Sequence, residues 1–551
     1  MFRPLATSAL ALVLGAAPAL SEVTPAQVWD DIARYYGDLG YEVTIGQRDE
    51  AGDRLALRDI AMTSTSGQTT VTVQIPGITL QKAGDARVRS VIDGQVSARM
   101  VADAAEEADD LDLQVLMSVP GNEMLSSGEP ADMLHEITIP QVDVEIRPDA
   151  ADAAGDAPVR LGMRAVDATY QSRTGPGSES LYEITADTLD LAMQFAEIAS
   201  PSGAGEQAPA AGAGGDAGGA DVVPGSFSAG ASVDGVIMTG SMVAPRGGAP
   251  LNMAERPHEA FRDGLAISGR IAMGPLEGSA EFEAPDSEGA MQSGSARVVA
   301  ARSEISVGLA RSGMTYAGSS AGTRVEMSNS DLPMPLSYAV ESASGKLVLP
   351  MSASDQPQPF GLDYAITGLT LADGIWQLFD PEGKLPRDPA NLTLKLDGQA
   401  IVTEDFLDPA FAERMAEAPD PATDTDPTAP AEGDPADATA PETPVPFQPQ
   451  SLSITTLALD AAGARADVTG KLEFTGEGGQ PVGTVEGSFT GINALLDTLV
   501  AIGIVPAEQQ MAARMMIAMF ARPAEGDPDA LQTRLEFRED GAIFANGQQV
   551  R

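Results

Sequence analysis

The chain contains no cysteine. A disulfide framework, a thiolate nucleophile and a cysteine-bound zinc site are therefore excluded, and so is a lipoprotein anchor, which needs a lipobox cysteine. Histidine is nearly absent: His135 and His258 are the only two, far apart in sequence. Each reads as a surface or loop residue rather than a ligand or base, so a metal site or a histidine-activated nucleophile has little material. Lysine occurs only at Lys82, Lys346, Lys384, Lys395 and Lys471. Lysine and arginine together number 33 against 80 acidic residues, a net charge of −47. A surface this negative repels phosphate backbones and anionic headgroups, which argues against nucleic acid as a partner. The Gly225-Ser226 and Ser344-Gly345-Lys346 steps match neither a G-x-S-x-G elbow nor a complete phosphate loop. Carboxylates are so abundant that a glycosidase-like pair would arise by chance, and their presence carries no information. The expectation is a protein that is not an enzyme and uses no cofactor and no metal.

What is present begins with an address. Arg3 precedes the apolar run Leu5 to Gly15, which is shorter than the roughly 20 residues of a membrane span but has the length of a signal-peptide core. Ala19 and Ser21 are the small residues expected before a cut ahead of Glu22. The predicted mature chain is periplasmic, soluble or peripherally attached, and carries no transmembrane span.

Thr24 and Pro25 then open a helix in which Val28, Ile32, Tyr35 and Leu39 recur at helical spacing until Gly40. From Tyr41 a two-residue rhythm takes over. It is clearest at Leu111, Leu113, Val115, Met117 and Val119, and it bends through Pro140 between Ile139 and Val142. A Gly/Ala-rich stretch, 201–220, has almost no side chain able to pack and reads as a linker. Strand rhythm returns at Phe227 and runs to Phe360–Gln399, where strand, small helical plug around Trp376 and Phe379, and strand follow one another. A second linker, 417–446, is acidic and rich in proline and alanine. Its Asp424 and Asp426 lack the glycine and distal glutamate of a calcium loop.

After further strands, Gly491–Ala521 is the one strongly helical region. Leu495, Leu496, Leu499 and Ile502 form one stripe, Pro506 opens a second helix, and Met511, Met515, Met519 and Phe520 form another stripe. The bland reading of this hairpin is a cap on an apolar sheet face. The sharper one makes Met511, Met515, Met519, Phe520, Leu495 and Leu499 the lining of an apolar ligand site.

The predicted fold is mainly β (α+β): long, curved, mostly antiparallel sheets with an N-terminal helix and a C-terminal helical hairpin, 491–521, packed on them. The predicted organisation is a signal peptide (1–21) and three β-rich regions, 22–200, 221–416 and 447–551, separated by the two linkers.

The exported N-terminus, GLDYAITGLTL with LPRDPANLTLKLDGQA, the methionine-rich hairpin and the terminal FREDGAIFANGQQVR together resemble the bacterial envelope family of domain of unknown function 2125. More distantly, the succession of bent amphipathic strands is similar to AsmA-like envelope proteins, whose β-grooves are associated with phospholipid transport. That resemblance implies lipid handling, with phospholipid or another envelope protein as the partner. The alternatives are a structural or interaction module of the periplasm without ligand, and an enzyme acting on envelope polysaccharide through two carboxylates facing across a cleft.

Overall fold

Alternation on strand after strand produces a single antiparallel sheet that takes in every strand among the described residues. The structure, a computed structural model, describes residues 23–38, 40–66, 68–84, 86–102, 111–148, 158–175, 178–198, 225–245, 256–285, 290–411, 414, 446–475, 479–524 and 526–551. The predicted signal peptide, the 201–220 linker and the acidic linker up to residue 445, with Asp424 and Asp426, lie outside them.

Helix α1 (Pro25–Asp38) leads into β1 (Glu42–Ala51), β2 (Arg54–Ser66) and β3 (Thr69–Ala83), which lie side by side. Beyond β3 the sheet splits. The second half of β3 pairs with β4 (Arg87–Asp93) and the first half with β5 (Val96–Ala102). Next, β6 (Leu111–Ser118) extends β5, β7 (Glu123–Glu129) extends β4, and the long β8 (Asp132–Pro148) spans both again. Full-length neighbours follow: β9 (Val159–Arg173), β10 (Glu179–Ile198) and β11 (Gly225–Val243).

The same split then recurs. After helix α2 (Pro257–Arg262), β12 (Ala266–Met273) takes the second half of β11 and β13 (Leu276–Pro285) the first. β14 (Met291–Ala300) extends β13, β15 (Arg302–Ala310) extends β12, and β16 (Gly313–Asn329) spans both. Thus β3 to β8 and β11 to β16 share one topology.

A plain meander completes the chain. It runs through β17 (Leu336–Leu349), β18 (Gln358–Leu371), helix α3 (Asp373–Phe379), β19 (Ala390–Val402), β20 (Phe447–Ala461), β21 (Ala464–Thr475) and β22 (Gln480–Thr490). Helices α4 (Ile492–Ala501) and α5 (Ala507–Phe520) form the predicted hairpin before β23 (Arg522–Ala524), β24 (Asp527–Phe537), β25 (Ile543–Ala545) and β26 (Gln548–Gln549). The three regions drawn from the sequence share this one sheet, because β10 pairs with β11 and β19 with β20 along most of their length.

A crease crosses the strands. Pairing skips a residue at Pro140 and Ala165 between β8 and β9, at Asp187 and Gly235 between β10 and β11, and at Gly322 and Glu341 between β16 and β17. It skips again where β18 bends between Ile366 and Leu369. There Gly368 has φ 68°, a left-handed value a side chain would strain, and its N–H donates to Asn391 Oδ1 at 2.9 Å. Val142, Val166, Ala186, Val233 and Val236 flank the crease on one face and form a buried cluster without any helix residue. With no covering element among the described residues, their burial is attributed to the two halves of each strand leaning toward one another. The sheet is therefore folded toward that face.

The N-terminal end of the same face is plugged by α1, whose Val28 and Trp29 pack on Leu55, Leu57, Ile60, Leu80 and Met133. Here the structure corrects the sequence reading of His135. It is 1% exposed, on the apolar parity of β8 between Met133 and Ile137. Its Nδ1 lies 2.7 Å from Ser126 Oγ and its Nε2 3.4 Å from Asp31 Oδ2. Asp31 also accepts from Arg34 at 2.8 Å and from the Ser172 hydroxyl at 3.2 Å, and the imidazole stacks on Tyr170. Ser126, His135 and Asp31 are all buried, and the network ties α1 to β7, β8 and β9. His258 is half-buried in α2.

The plug after β18 is held differently. Asp380 accepts from the backbone N–H of Lys384 at 2.9 Å and of Leu385 at 3.0 Å, and Arg387 lies over the Trp376 ring. Desolvation pushes the Asp380 carboxyl up, but those two N–H groups, with Arg387 and Lys384, outweigh it and hold it below the usual carboxylate range. A depressed carboxylate contributes stability that is present above its unfolded value, about pH 4, and is lost as pH falls through the lower folded value. Trp376 fluorescence, followed in a Trp29→Phe background, should therefore report loosening of this loop only in acid below about pH 4. Asp380→Asn should show the loosened signal at neutral pH; an unchanged acid profile in that variant would refute the assignment.

Candidate functional site

Cross-strand partners share a face, so the register traces the folded side of the sheet row by row. One row runs from His135 through Tyr170, Tyr182, Gly240, Gly269, Val307, Tyr316, Leu347, Leu362, Leu396 and Ile454 to Gly470 and Val485. Stepping two residues at a time from this row, and leaving aside the crease residues, the described side chains in register from β8 to β22 include no Asp, Glu, Lys or Arg. At about 4.8 Å per strand step the strip is on the order of 60 Å long. Twice that row holds glycine where a Cβ would crowd the floor: the Tyr182 ring lies across Gly240, 2.3 Å from where its Cβ would stand.

Helices close both margins. Phe261 of α2 and the following Leu265 pack with Met242 and Leu309, at the strand ends on the row's side of the crease. On the other side, Gly374 of α3 lies against the Pro335 carbonyl, and Lys384 donates to the Ala501 carbonyl of α4. Between the margins the floor stays open. Ile271, Ile305, Val307, Tyr316 and Tyr364 are each about two-fifths exposed, Val307 at 41%.

The six residues singled out from the sequence fall into two groups. Leu495 and Leu499 of α4 are half-buried, and the neighbouring Leu496 is the one buried residue of that helix. Met511, Met515 and Met519 of α5 point to solvent at 73%, 65% and 56% exposure, with Phe520 at 39%, and α5 has no buried residue. The hairpin contact is polar instead: Gln510 and Arg514 donate to Asp497 Oδ1 at 2.8 and 2.5 Å. That Arg514 hydrogen bond holds the Asp497 carboxyl below its usual range. The sequence reading points to an apolar β-groove of the curved sheet, closed partly by the hairpin, but names its lining on the hairpin and not among the floor residues. The floor's signal was there in the alternation of Ile267, Gly269, Ile271 and of Ile305, Val307, Leu309, but nothing in one strand says that its apolar side will lack a cover.

The opposite face is polar. It holds a shallow depression of about 900 Å³ bordered by Arg160, Arg164, Asp190, Ser232, Glu277 and Arg297. There Arg297 pairs with Glu277 at 3.4 Å, and the Ser232 hydroxyl donates to Asp190 at 2.7 Å.

A family model described as an uncharacterized protein conserved in bacteria (DUF2125) matches residues 261–548. The chain belongs to this family. No curated protein and no solved structure matches it. The DUF2125 match starts within α2 and ends in β26, so it takes in the second split of the sheet from β12 onward, the crease at β16 to β18, and the hairpin. The α1 plug and the His135 network precede it. Among the described residues no helix is long and apolar enough to cross a membrane.

Proposed function

We propose that this DUF2125 protein is an exported, non-enzymatic envelope protein that holds lipid acyl chains along the folded, apolar face of its sheet. The observation that carries the reading is the uncharged strip from β8 to β22, folded toward itself and open along its floor from β12 to β18. An acyl chain is linear and uncharged, and each methylene removed from water contributes about 0.8 kcal/mol, so a long narrow floor suits it better than a compact ligand. Headgroups would sit at the margins, where polar side chains begin. Export rests on the N-terminal sequence, and the phospholipid class on the AsmA-like resemblance.

The competing reading, a structural or interaction module without ligand, uses the same face as a contact surface. The two separate in one experiment. Mature protein purified from the periplasm without detergent is extracted with organic solvent and analysed by mass spectrometry beside a mock purification. Phospholipid above the mock is the expected result; lipid-free protein would move the assignment to the ligand-free module.

A further inference from the structure

Helix α5 leaves most of its apolar surface in water. Gln510 and Arg514 bridge to Asp497 of α4, with Arg514 and Asp497 themselves half exposed, while Met511, Met515, Met516 and Met519 face solvent, each more than half exposed. Ile504, in the turn between the helices, is 50% exposed as well. Ordinary surface helices do the opposite, turning the apolar stripe toward the fold. This one is held to the sheet by few bonds, such as those that Thr533 Oγ1 and Asn546 Nδ2 donate to the Phe520 carbonyl, at 2.5 and 3.0 Å. Its methionines are thus free to meet something outside the chain.

Charge indicates what. Across a chain of net charge −47, residues 492–524 carry two acids, Asp497 and Glu508, balanced by Arg514 and Arg522. The field that repels lipid headgroups elsewhere is interrupted at the hairpin, so a bilayer is approached hairpin first. The 14 residues of α5 reach about 21 Å at 1.5 Å each, too short to cross a hydrocarbon core of about 30 Å, so its contact with a bilayer is with the surface. Flexible thioethers adapt to a disordered acyl surface better than branched side chains do. The hairpin also lies beside β21 and β24, at the margin of the apolar strip.

We infer that the α4–α5 hairpin is a membrane-docking element whose methionine face seats on a phospholipid bilayer at the margin of the acyl-binding face. The inference takes its acyl chemistry from the proposed function, but its test is separate. The full mature chain is mixed with phosphatidylethanolamine/phosphatidylglycerol vesicles at physiological salt and sedimented. The wild type should co-sediment. Met511→Gln, Met515→Gln and Met519→Gln together should reduce co-sedimentation at least tenfold, with an unchanged circular dichroism spectrum, because these side chains are exposed and support no core. A wild type that stays in the supernatant, or a triple variant that sediments undiminished, would overturn the docking role and leave a protein partner as the occupant. The triple variant should still carry whatever lipid the wild type carries on extraction, so loss of docking and loss of acyl binding are read independently.

Discussion

Replacing Asp31 by leucine should destabilise the docking of α1 by about 1–3 kcal/mol, the cost of leaving its buried hydrogen-bond partners unsatisfied. Asp31 is 3% exposed and takes hydrogen bonds from Arg34 and Ser172 while facing His135 Nε2. Its removal leaves the half-exposed Arg34 guanidinium with the Thr174 hydroxyl and the imidazole with the Ser126 hydroxyl as its one hydrogen-bond partner. Trp29, buried on the same helix, reports the loss locally in a Trp376→Phe background through the midpoint of its urea transition. Ser172→Ala, which removes one neutral hydroxyl, should cost only about 1 kcal/mol. Equal midpoints for Asp31→Leu and the parent would show that apolar packing alone seats the helix.

The second large effect concerns the proposed ligand. Val307 stands mid-row on β15, flanked by Gly269 and Tyr316, and is already 41% exposed. Val307→Glu should therefore leave the sheet intact, yet any acyl chain lying there would have to bury a carboxylate, at a cost of several kcal/mol. Phospholipid recovered per mole of protein should fall at least tenfold. The neighbouring Ser306→Glu places the same charge on the polar face, in register with Arg270, and should change nothing. If Val307→Glu retains lipid at the wild-type level, the ligand does not occupy this face.

Much of the architecture could be read from single strands. The alternation at 111–119 is β6, the bend at Pro140 is the kink of β8, and the plug around Trp376 is α3. The hairpin at 491–521 stands within two residues of its predicted ends. Other features depend on register. Gly235, Gly322 and Gly368 look like isolated interruptions in sequence, and only pairing aligns them into one crease. The two splits were equally hidden, since half-length strands such as β4 and β5 show the same alternation as full-length ones.

The burial of His135 is hidden in the sequence for a different reason. Polar residues on an apolar parity are normally displaced to the surface, and the partner that retains this one, Asp31, lies 104 residues away. For the methionines, the helical stripe was correctly seen, but a stripe does not say whether it faces the fold or the solvent. The polar bridge between Gln510, Arg514 and Asp497 decides that, and it exists only once the two helices are side by side.

Strands in extensive contact are hydrogen-bonded neighbours, with the helices touching only a few of them. Such a sheet has no centre. Its stability accumulates step by step along the array, as in solenoid proteins, so unfolding should advance from an end and stall at well-paired stretches rather than occur at once. The same property makes its length adjustable. Gain or loss of one hairpin would lengthen or shorten the strip by roughly 10 Å and leave the remaining pairs as they were.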